Sequence, residues 1–176
     1  KVKEQFGLLQ TPQEQFFEQL KYGLKKSNAW HVKKFLQDLE KRCDWKEYEE
    51  TKKDDRHKIL VVGAGPCGLR LAIEAAFMGC NVTLVDKRTG FSRNNVLHLW
   101  PFTVTDLKSI GIKFFFARFC CGELDHISIR RLQLSLLKIA LVLGVHINMG
   151  VEFKGLRLPS NQTGSGWRCI CKPEST

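Results

Sequence analysis

The sequence GAGPCG at residues 63–68 is the feature that most constrains the fold, because it matches the pattern G-x-G-x-x-G. A short apolar run precedes it at residues 59–62, a helical stretch follows at 69–78, and a second strand is predicted at 81–85, directly before Asp86. A strand, a glycine-rich turn, a helix and a strand within about 28 residues form the dinucleotide-binding half of a Rossmann fold. The apolar run predicts a first strand that is buried on both faces.

Each part of the motif has a physical role in holding a pyrophosphate. Gly63 permits the tight turn, Gly65 lets the backbone approach the ligand, and Gly68 lets the helix and the strand pack closely. The start of the helix supplies N–H groups and the positive end of the helix dipole. Asp86 is expected to accept hydrogen bonds from the ribose hydroxyls of the adenosine. The motif does not distinguish FAD from NAD(P), since both contain these groups.

The chain after Asp86 favours a flavin. Lys87 and Arg88 suit either the 2′-phosphate of NADPH or the adenosine of FAD, so they leave the choice open. A plain NAD domain is expected to continue into a helix and a third strand, whereas here an irregular, mostly polar loop is predicted at residues 89–101. Such an insertion suits the ribityl chain and the ring of a flavin, which extend beyond the pyrophosphate.

Hydrophobic periodicity predicts the remaining elements. Two amphipathic helices are expected within residues 1–43, followed by a charged linker or solvated helical turn at 44–58. The later predictions are a helix at 103–110, a strand at 114–119, a helix at 129–143 capped by Ser128 or Asp125, a strand at 145–149, and a hairpin formed by 151–158 and 167–171. The predicted organisation is thus a helical segment with its linker, residues 1–57, and the first part of a truncated Rossmann-type domain, residues 58–176.

Charge and composition narrow the classes of partner. The net charge is +10, and residues 1–58 contribute 14 basic against 11 acidic side chains, so most of the excess lies after them. A positive surface attracts anions, but no helix-turn-helix, zinc finger or RNA-recognition pattern is present, so nucleic acid is not a predicted partner. No apolar run reaches the roughly 18 residues of a membrane span, and no signal peptide is recognised.

The seven cysteines form no C-x-x-C pair. This count and spacing predict reduced thiols in the cytosol and no metal site. His98 and His126 have no carboxylate partner at suitable spacing, so they are interpreted as structural, and no catalytic residue is predicted. The chain begins with Lys1 and has no closing element after residue 173, so both ends are expected to be cuts in a longer protein.

Four segments resemble the MICAL family of multidomain flavin monooxygenases. They are GAGPCGLR at 63–70, DKR at 86–88, FSRNNVLHLWPF at 91–102 and DHISIR at 125–130. The resemblance implies an α/β fold, namely an incomplete Rossmann-like FAD-binding domain of the aromatic-hydroxylase-like class, preceded by two helices. It implies an FAD-dependent enzyme that takes electrons from NADPH, oxidises methionine of F-actin to the sulfoxide and promotes filament disassembly. It also implies a cytoplasmic, cytoskeleton-associated protein.

The resemblance further implies which residues bind FAD. The phosphate loop contributes Gly63, Gly65, Pro66, Cys67 and Gly68; Asp86, Lys87 and Arg88 surround the adenosine; Arg93, Asn94 and Asn95 line the ribityl and flavin side; and Phe153 lies near the adenine end. The sequence departs from the family where Asp86 replaces a frequent Glu, and where an apolar run at 109–118 replaces a more polar one. Because the family's ring-facing residues lie further along the chain, these residues alone are expected to bind FAD poorly and to catalyse nothing.

Two other functions remain open from the sequence. One is a plain NAD(P)-dependent Rossmann oxidoreductase, which shares the glycine-rich loop. The other is a non-catalytic, truncated isoform that binds actin through its basic surface and its leading helices.

Overall fold

The computed structural model describes residue 8 and residues 11–24, 29–53, 57–112, 126–159 and 166–173. Among the described residues, three helices precede the first strand: α1 (Gln13–Leu24), α2 (Trp30–Cys43) and α3 (Lys46–Lys53). The two helices expected before residue 43 are therefore confirmed, and the charged segment after them forms α3, in which Tyr48 is buried. Within the described ranges, no helix combines the length and the apolar character that crossing a bilayer requires.

Helix α1 is attached directly to the rest of the fold. The side-chain oxygen of Gln13 accepts a hydrogen bond from the backbone N–H of Val82 at 3.0 Å. Phe16 and Leu20 are buried in a cluster with Leu8, as the amphipathic pattern of α1 predicts. The leading helices therefore pack against the nucleotide-binding half rather than standing apart from it.

The centre of the fold is a parallel sheet. Strand β1 (Lys58–Val62) leads through the glycine-rich turn into α4 (Pro66–Phe77), and β2 (Asn81–Asp86) returns beside β1. The third strand, β5 (His146–Met149), follows α6 (Ile129–Val142) and pairs with β2, so the strand order is β1-β2-β5. Helices α4 and α6 pack against each other. The predicted strand–turn–helix–strand unit is thus confirmed, with helix α4 beginning three residues earlier than predicted.

The prediction that β1 is buried on both faces is wrong. Val61 is buried and faces α4, since its side chain lies close to Gly68 of that helix. Val62 points to the opposite face and is 57% exposed. A continuous apolar run does not reveal how many of its faces the neighbouring elements cover, because that depends on contacts distant in sequence.

The segment predicted as an irregular loop contains a short strand. Strand β3 (Val96–His98) pairs antiparallel with β4 (His126–Ser128), and α5 (Pro101–Ser109) follows β3. Because the pairing partner lies about 30 residues further on, the local pattern did not indicate it. The strand predicted at 114–119 and the alternative cap Asp125 lie outside the described residues. Ser128 does cap α6, accepting the N–H of Arg131.

The last element is the predicted hairpin. Strand β6 (Val151–Arg157) pairs antiparallel with β7 (Arg168–Pro173), and a bulge interrupts the register between Phe153 and Gly155. Most of the turn that joins them, residues 160–165, lies outside the described residues. Strand β6 starts directly after β5, and this position brings the hairpin beside the end of β2.

Candidate dinucleotide-binding site

The glycine-rich turn begins directly after β1, and its first residue, Gly63, has a backbone conformation that favours glycine. Gly63 has a φ of +104°, which residues with a Cβ atom rarely adopt. Its N–H donates to the carbonyl of Val85 at 2.7 Å, which continues the β1–β2 ladder into the turn. The chain then turns away from the sheet and enters α4.

The other two glycines of the motif differ in what surrounds them. A Cβ atom on Gly68 would lie 2.1 Å from the backbone oxygen of Gly63, a clash that only a shift of the turn would relieve. A Cβ atom on Gly65 would meet nothing within 4 Å. Gly68 is therefore required by the packing of helix on strand, whereas the fold itself does not require a glycine at position 65. The open space at Gly65 fits a group that approaches the backbone there.

The first turn of α4 offers hydrogen-bond donors toward that space. The first bond within the helix is donated by the N–H of Leu69 to the oxygen of Gly65, at 2.9 Å. The N–H groups of Cys67 and Gly68 precede it and have no acceptor within the helix. No side chain caps this helix start, and Cys67 is exposed. Free N–H groups at the positive end of a helix dipole are suited to an anion such as a phosphate.

Asp86 fastens the turn to the end of β2. It is buried, and one carboxylate oxygen accepts the N–H of Ala64 at 2.7 Å while the other accepts the N–H of Arg88, also at 2.7 Å. Each oxygen retains a lone pair for a further donor. The structure therefore gives Asp86 an internal role that the sequence motif did not indicate, and the predicted contact with a ribose stays a prediction.

Gln133 of α6 holds the same peptide segment from the other side. Its side-chain N–H donates to the carbonyl of Ala64 at 2.9 Å, and the residue is only 8% exposed. Ala64 is therefore held through its N–H by Asp86 and through its carbonyl by Gln133. Sequence reasoning missed Gln133. The available signal was a polar residue in a helical stripe whose other members, such as Leu132 and Leu136, are buried and apolar.

Two neighbouring hollows lie at the end of β2. The larger one, about 910 Å³, contains four basic side chains and one carboxylate; its lining residues include Lys87, Arg88, Arg130, Lys172 and Glu152. The smaller one, about 320 Å³, brings five of the predicted site residues together: Gly63, Asp86, Lys87, Arg88 and Phe153. The carboxylate of Glu152 is paired with Lys154 at 2.7 Å, and this bond lowers its pKa. The excess of positive charge makes the larger hollow favourable for an anion.

Three further predicted residues follow Ser92, which lines the larger hollow, but do not line either hollow themselves. Arg93, Asn94 and Asn95 are exposed and are not among the residues that line either one. The carbonyl of Asn95 accepts the N–H of Ile129 at 2.8 Å, which places this segment beside the start of α6. His98 and His126 face each other across β3 and β4, with ring centroids 4.7 Å apart.

A group of charged side chains ties α4 to the helices around it. Arg70 makes a two-pronged bond to Asp106 of α5, with both distances 2.7 Å, and a third bond to Glu74 at 2.6 Å. Glu74 also accepts the hydroxyl of Tyr48 and lies 3.4 Å from Arg42. These contacts connect α2 and α3 through α4 to α5, and so hold the helix that begins at the glycine-rich turn.

The contacts shift the pKa values of the group. The bond from Arg70 lowers the pKa of Asp106, although partial burial opposes this shift. For Glu74, burial raises the pKa, but the hydrogen bonds from Tyr48 and Arg70 outweigh it and the net shift is downward. Burial, followed by the bond to Glu74, raises the pKa of Tyr48 to about 12. Both carboxylates are therefore held in their charged form.

Comparison with protein families and curated sequences identifies relatives. Residues 19–116 match the family described as pyridine nucleotide-disulphide oxidoreductase. The human [F-actin]-monooxygenase MICAL1 is 56% identical over 146 residues, which are 83% of this chain and 14% of the relative. The zebrafish protein-methionine sulfoxide oxidase mical3a is 50% identical over 163 residues, which are 91% of this chain and 8% of the relative. The chain thus spans only a small part of these relatives' length.

Solved structures with a similar fold include two hydroxylases. Aklavinone-11 hydroxylase, in a ternary complex with FAD and aklavinone, matches with a TM-score of 0.54 and 21% identity, over 68% of this chain and 30% of that one. The aromatic hydroxylase CabE from angucycline biosynthesis matches with a TM-score of 0.51 and 20% identity, over 67% and 29%. The predicted fold class, a Rossmann-like domain of the aromatic-hydroxylase type, is confirmed.

Proposed function

Because this chain belongs to the pyridine nucleotide-disulphide oxidoreductase family and is homologous to the amino-terminal part of the MICAL monooxygenases, we propose that it forms the FAD-binding part of an enzyme that oxidises methionine of F-actin, with NADPH as electron donor. The single observation that carries the proposal is the Ala64 peptide, which Asp86 and Gln133 hold from its two sides beside the open space at Gly65. A turn held in this way is arranged before a ligand arrives, which reduces the entropy that binding costs.

The residues present fit an FAD pyrophosphate. The N–H groups of Cys67 and Gly68 would receive a phosphate at the start of α4, where Gly65 leaves the backbone accessible. Asp86 has lone pairs left for a ribose, and Phe153 lines the same hollow as a flat apolar surface for the adenine. Lys87 and Arg88 would balance the phosphate charge, and Arg93, Asn94 and Asn95 would contact the ribityl and ring side.

The protein's contribution to the reaction, as far as these residues reach, is binding and orientation. Bound flavin would supply the transfer of electrons from NADPH to oxygen that the oxidation of a thioether requires. The basic hollow formed by Lys87, Arg88, Arg130 and Lys172 would keep an anionic cofactor in place. The names of the relatives support F-actin as the substrate and a cytoplasmic, cytoskeleton-associated location.

A matched pair of glycine variants tests the cofactor site. Gly65 and Gly166 both have open space where a Cβ atom would lie and neither has a positive φ, so Gly65→Val and Gly166→Val are both expected to fold. We expect Gly65→Val to weaken FAD binding strongly, because its side chain occupies the space proposed for the pyrophosphate, and Gly166→Val to bind like the unchanged protein. Titration of FAD followed by flavin fluorescence gives both affinities.

The same titration separates the alternatives. Preferential binding of NAD(P)H over FAD would indicate a plain Rossmann oxidoreductase instead. Because these residues alone are expected to bind FAD poorly, both variants are made in a protein that spans the full length of the MICAL relatives. Equal FAD affinity in the two variants, or no FAD binding by that folded protein, would contradict the proposed site and favour an actin-binding module without turnover. Co-sedimentation with actin filaments at stepwise increasing salt then shows whether the charge of this chain drives any such binding.

A further inference from the structure

Two cysteine side chains lie together on one face of the last strand, β7, where Cys171 is the register partner of Phe153 in β6. The Sγ atoms of Cys169 and Cys171 are 3.7 Å apart, and the thiol of Cys171 donates a hydrogen bond to the sulfur of Cys169. Both are free thiols; Cys169 is exposed and Cys171 is half-buried. They line a hollow of about 250 Å³ with Arg157, Arg168 and Ile170, and none of these five residues lines the larger basic hollow.

The spacing of the sulfurs decides between two uses of such a pair. A disulfide needs the sulfurs about 2.05 Å apart, with the Cα atoms usually less than about 6.8 Å apart. Residues i and i+2 of a strand separate their Cα atoms by roughly 6.6–6.8 Å, at the upper limit of the disulfide range, so this bond would require the strand to shorten. Two metal–sulfur bonds of about 2.3 Å at a tetrahedral angle place the sulfurs about 3.8 Å apart, close to the separation that the strand already provides.

Although the cysteine spacing in the sequence predicted no metal site, the 3.7 Å between the two sulfurs leads to a different inference. We propose that Cys169 and Cys171 form a two-thiolate site for a single thiophilic divalent cation of the zinc and cadmium class, with water in the other coordination positions. Binding would form two metal–sulfur bonds and release both thiol protons to solvent, and no electron would be transferred. Arg157 and Arg168 are paired across β6 and β7, and because successive side chains of a strand alternate, they lie on the face opposite to the two cysteines.

Cadmium titration of the 176-residue chain tests the proposal. Because Cys120 and Cys121 are adjacent in sequence and lie outside the described residues, both are first changed to Ser in every sample. We expect one Cd²⁺ per chain, seen as sulfur-to-cadmium charge-transfer absorption in the ultraviolet. Cys169→Ser and Cys171→Ser are each expected to lose this absorption entirely, whereas Cys67→Ser, which removes a single exposed thiol elsewhere, is expected to keep it.

A further variant separates chelation from the mere presence of two thiols. Cys169→Ser combined with Ile170→Cys keeps two cysteines but places them on opposite faces of the strand, because successive side chains alternate. We expect it to lose the Cd²⁺ absorption while its far-ultraviolet circular dichroism stays unchanged. Absorption that persists in this variant, or that falls only by half in each single variant, would show independent binding and overturn the proposal. Absence of absorption in the unchanged pair would do the same.

Discussion

The side-chain amide of Gln133 donates a hydrogen bond to the backbone carbonyl of Ala64 at 2.9 Å, although the two residues are 69 positions apart in the chain. The contact joins the middle of α6 to the glycine-rich turn, and Gln133 is almost fully buried. The conformation of the proposed phosphate loop is therefore supported by a helix that belongs to a different βαβ crossover.

Replacing Gln133 with Leu removes the donor but keeps a side chain of similar size. We expect a loss of about 1–3 kcal/mol in the free energy of unfolding, because the carbonyl of Ala64 is left buried without this partner, together with weaker FAD binding. Urea unfolding and FAD titration measure the two effects. Ser135→Ala is the control, since Ser135 is buried on the same helix but its hydroxyl donates to the carbonyl of Arg131 within that helix. Equal FAD affinity in both variants would contradict a role for Gln133 in the loop.

Replacing Asp86 with Asn tests the other side of the same peptide. The amide of Asn presents N–H groups to one of the two backbone donors, Ala64 or Arg88, so one buried hydrogen bond becomes a repulsive contact. We expect the free energy of unfolding to fall by about 1–3 kcal/mol and FAD binding to weaken. Asp38→Asn removes a charge of equal size from a surface ion pair with Lys34. This control should change neither the free energy of unfolding nor the FAD affinity by much. If the two variants are equally stable, Asp86 does not anchor the turn.

Adding a single methyl group at Gly68 should disrupt the turn. The Cβ atom of Gly68→Ala would lie 2.1 Å from the oxygen of Gly63, and backbone atoms must shift to relieve the clash. We expect destabilisation of about 1–3 kcal/mol or more, measured as a lower thermal midpoint and free energy of unfolding. Gly166→Ala adds the same methyl group in open space and should leave the midpoint nearly unchanged. A Gly68→Ala protein as stable as that control would mean that helix α4 can move away from β1 without cost.

Acid should weaken the connection between α4 and α5. The folded-state pKa of Asp106 is lowered mainly by its bond to Arg70, so its stabilising contribution is present above the unfolded pKa near 3.8 and is lost as the pH falls through the lowered value. We expect Asp106→Asn to be less stable than the unchanged protein near neutral pH, with the difference shrinking as the pH falls below about 3.8. Urea unfolding midpoints of both proteins, measured from neutral to acidic pH, give this stability difference. A difference that stays constant with pH would show that Asp106 acts through packing alone.

The strand–turn–helix–strand unit was predictable because its signals are local. Gly63, Gly65 and Gly68 have fixed spacing, and the apolar runs on either side have the lengths of a strand and a helix. The fold class followed from this unit and from the resemblance of residues 91–102 to one family. The helix at residues 129–142 and the final hairpin were also predicted within a few residues, since their periodicity and turn residues are clear.

Other features could not be predicted from the sequence, because they depend on contacts between residues that are far apart along the chain. The pairing of β3 with β4, the exposure of Val62 and the position of Phe153 beside Asp86 all depend on which elements meet. Nothing in the local pattern around Gln133 indicates that its amide reaches Ala64. The three-residue strand β3 is too short for its own periodicity to distinguish it from a loop.

By itself, the amino-acid sequence determined that a glycine-rich turn joins a strand to a helix here, since backbone sterics and hydrophobic periodicity act over a few residues. Only the tertiary structure decided that Asp86 and Gln133 hold that turn, that Arg70 ties α4 to α5, and that Cys169 and Cys171 bring their sulfurs within 3.7 Å. These contacts depend on the packing of helices and the pairing of strands, and buried polar groups select their partners from whatever that packing brings within reach.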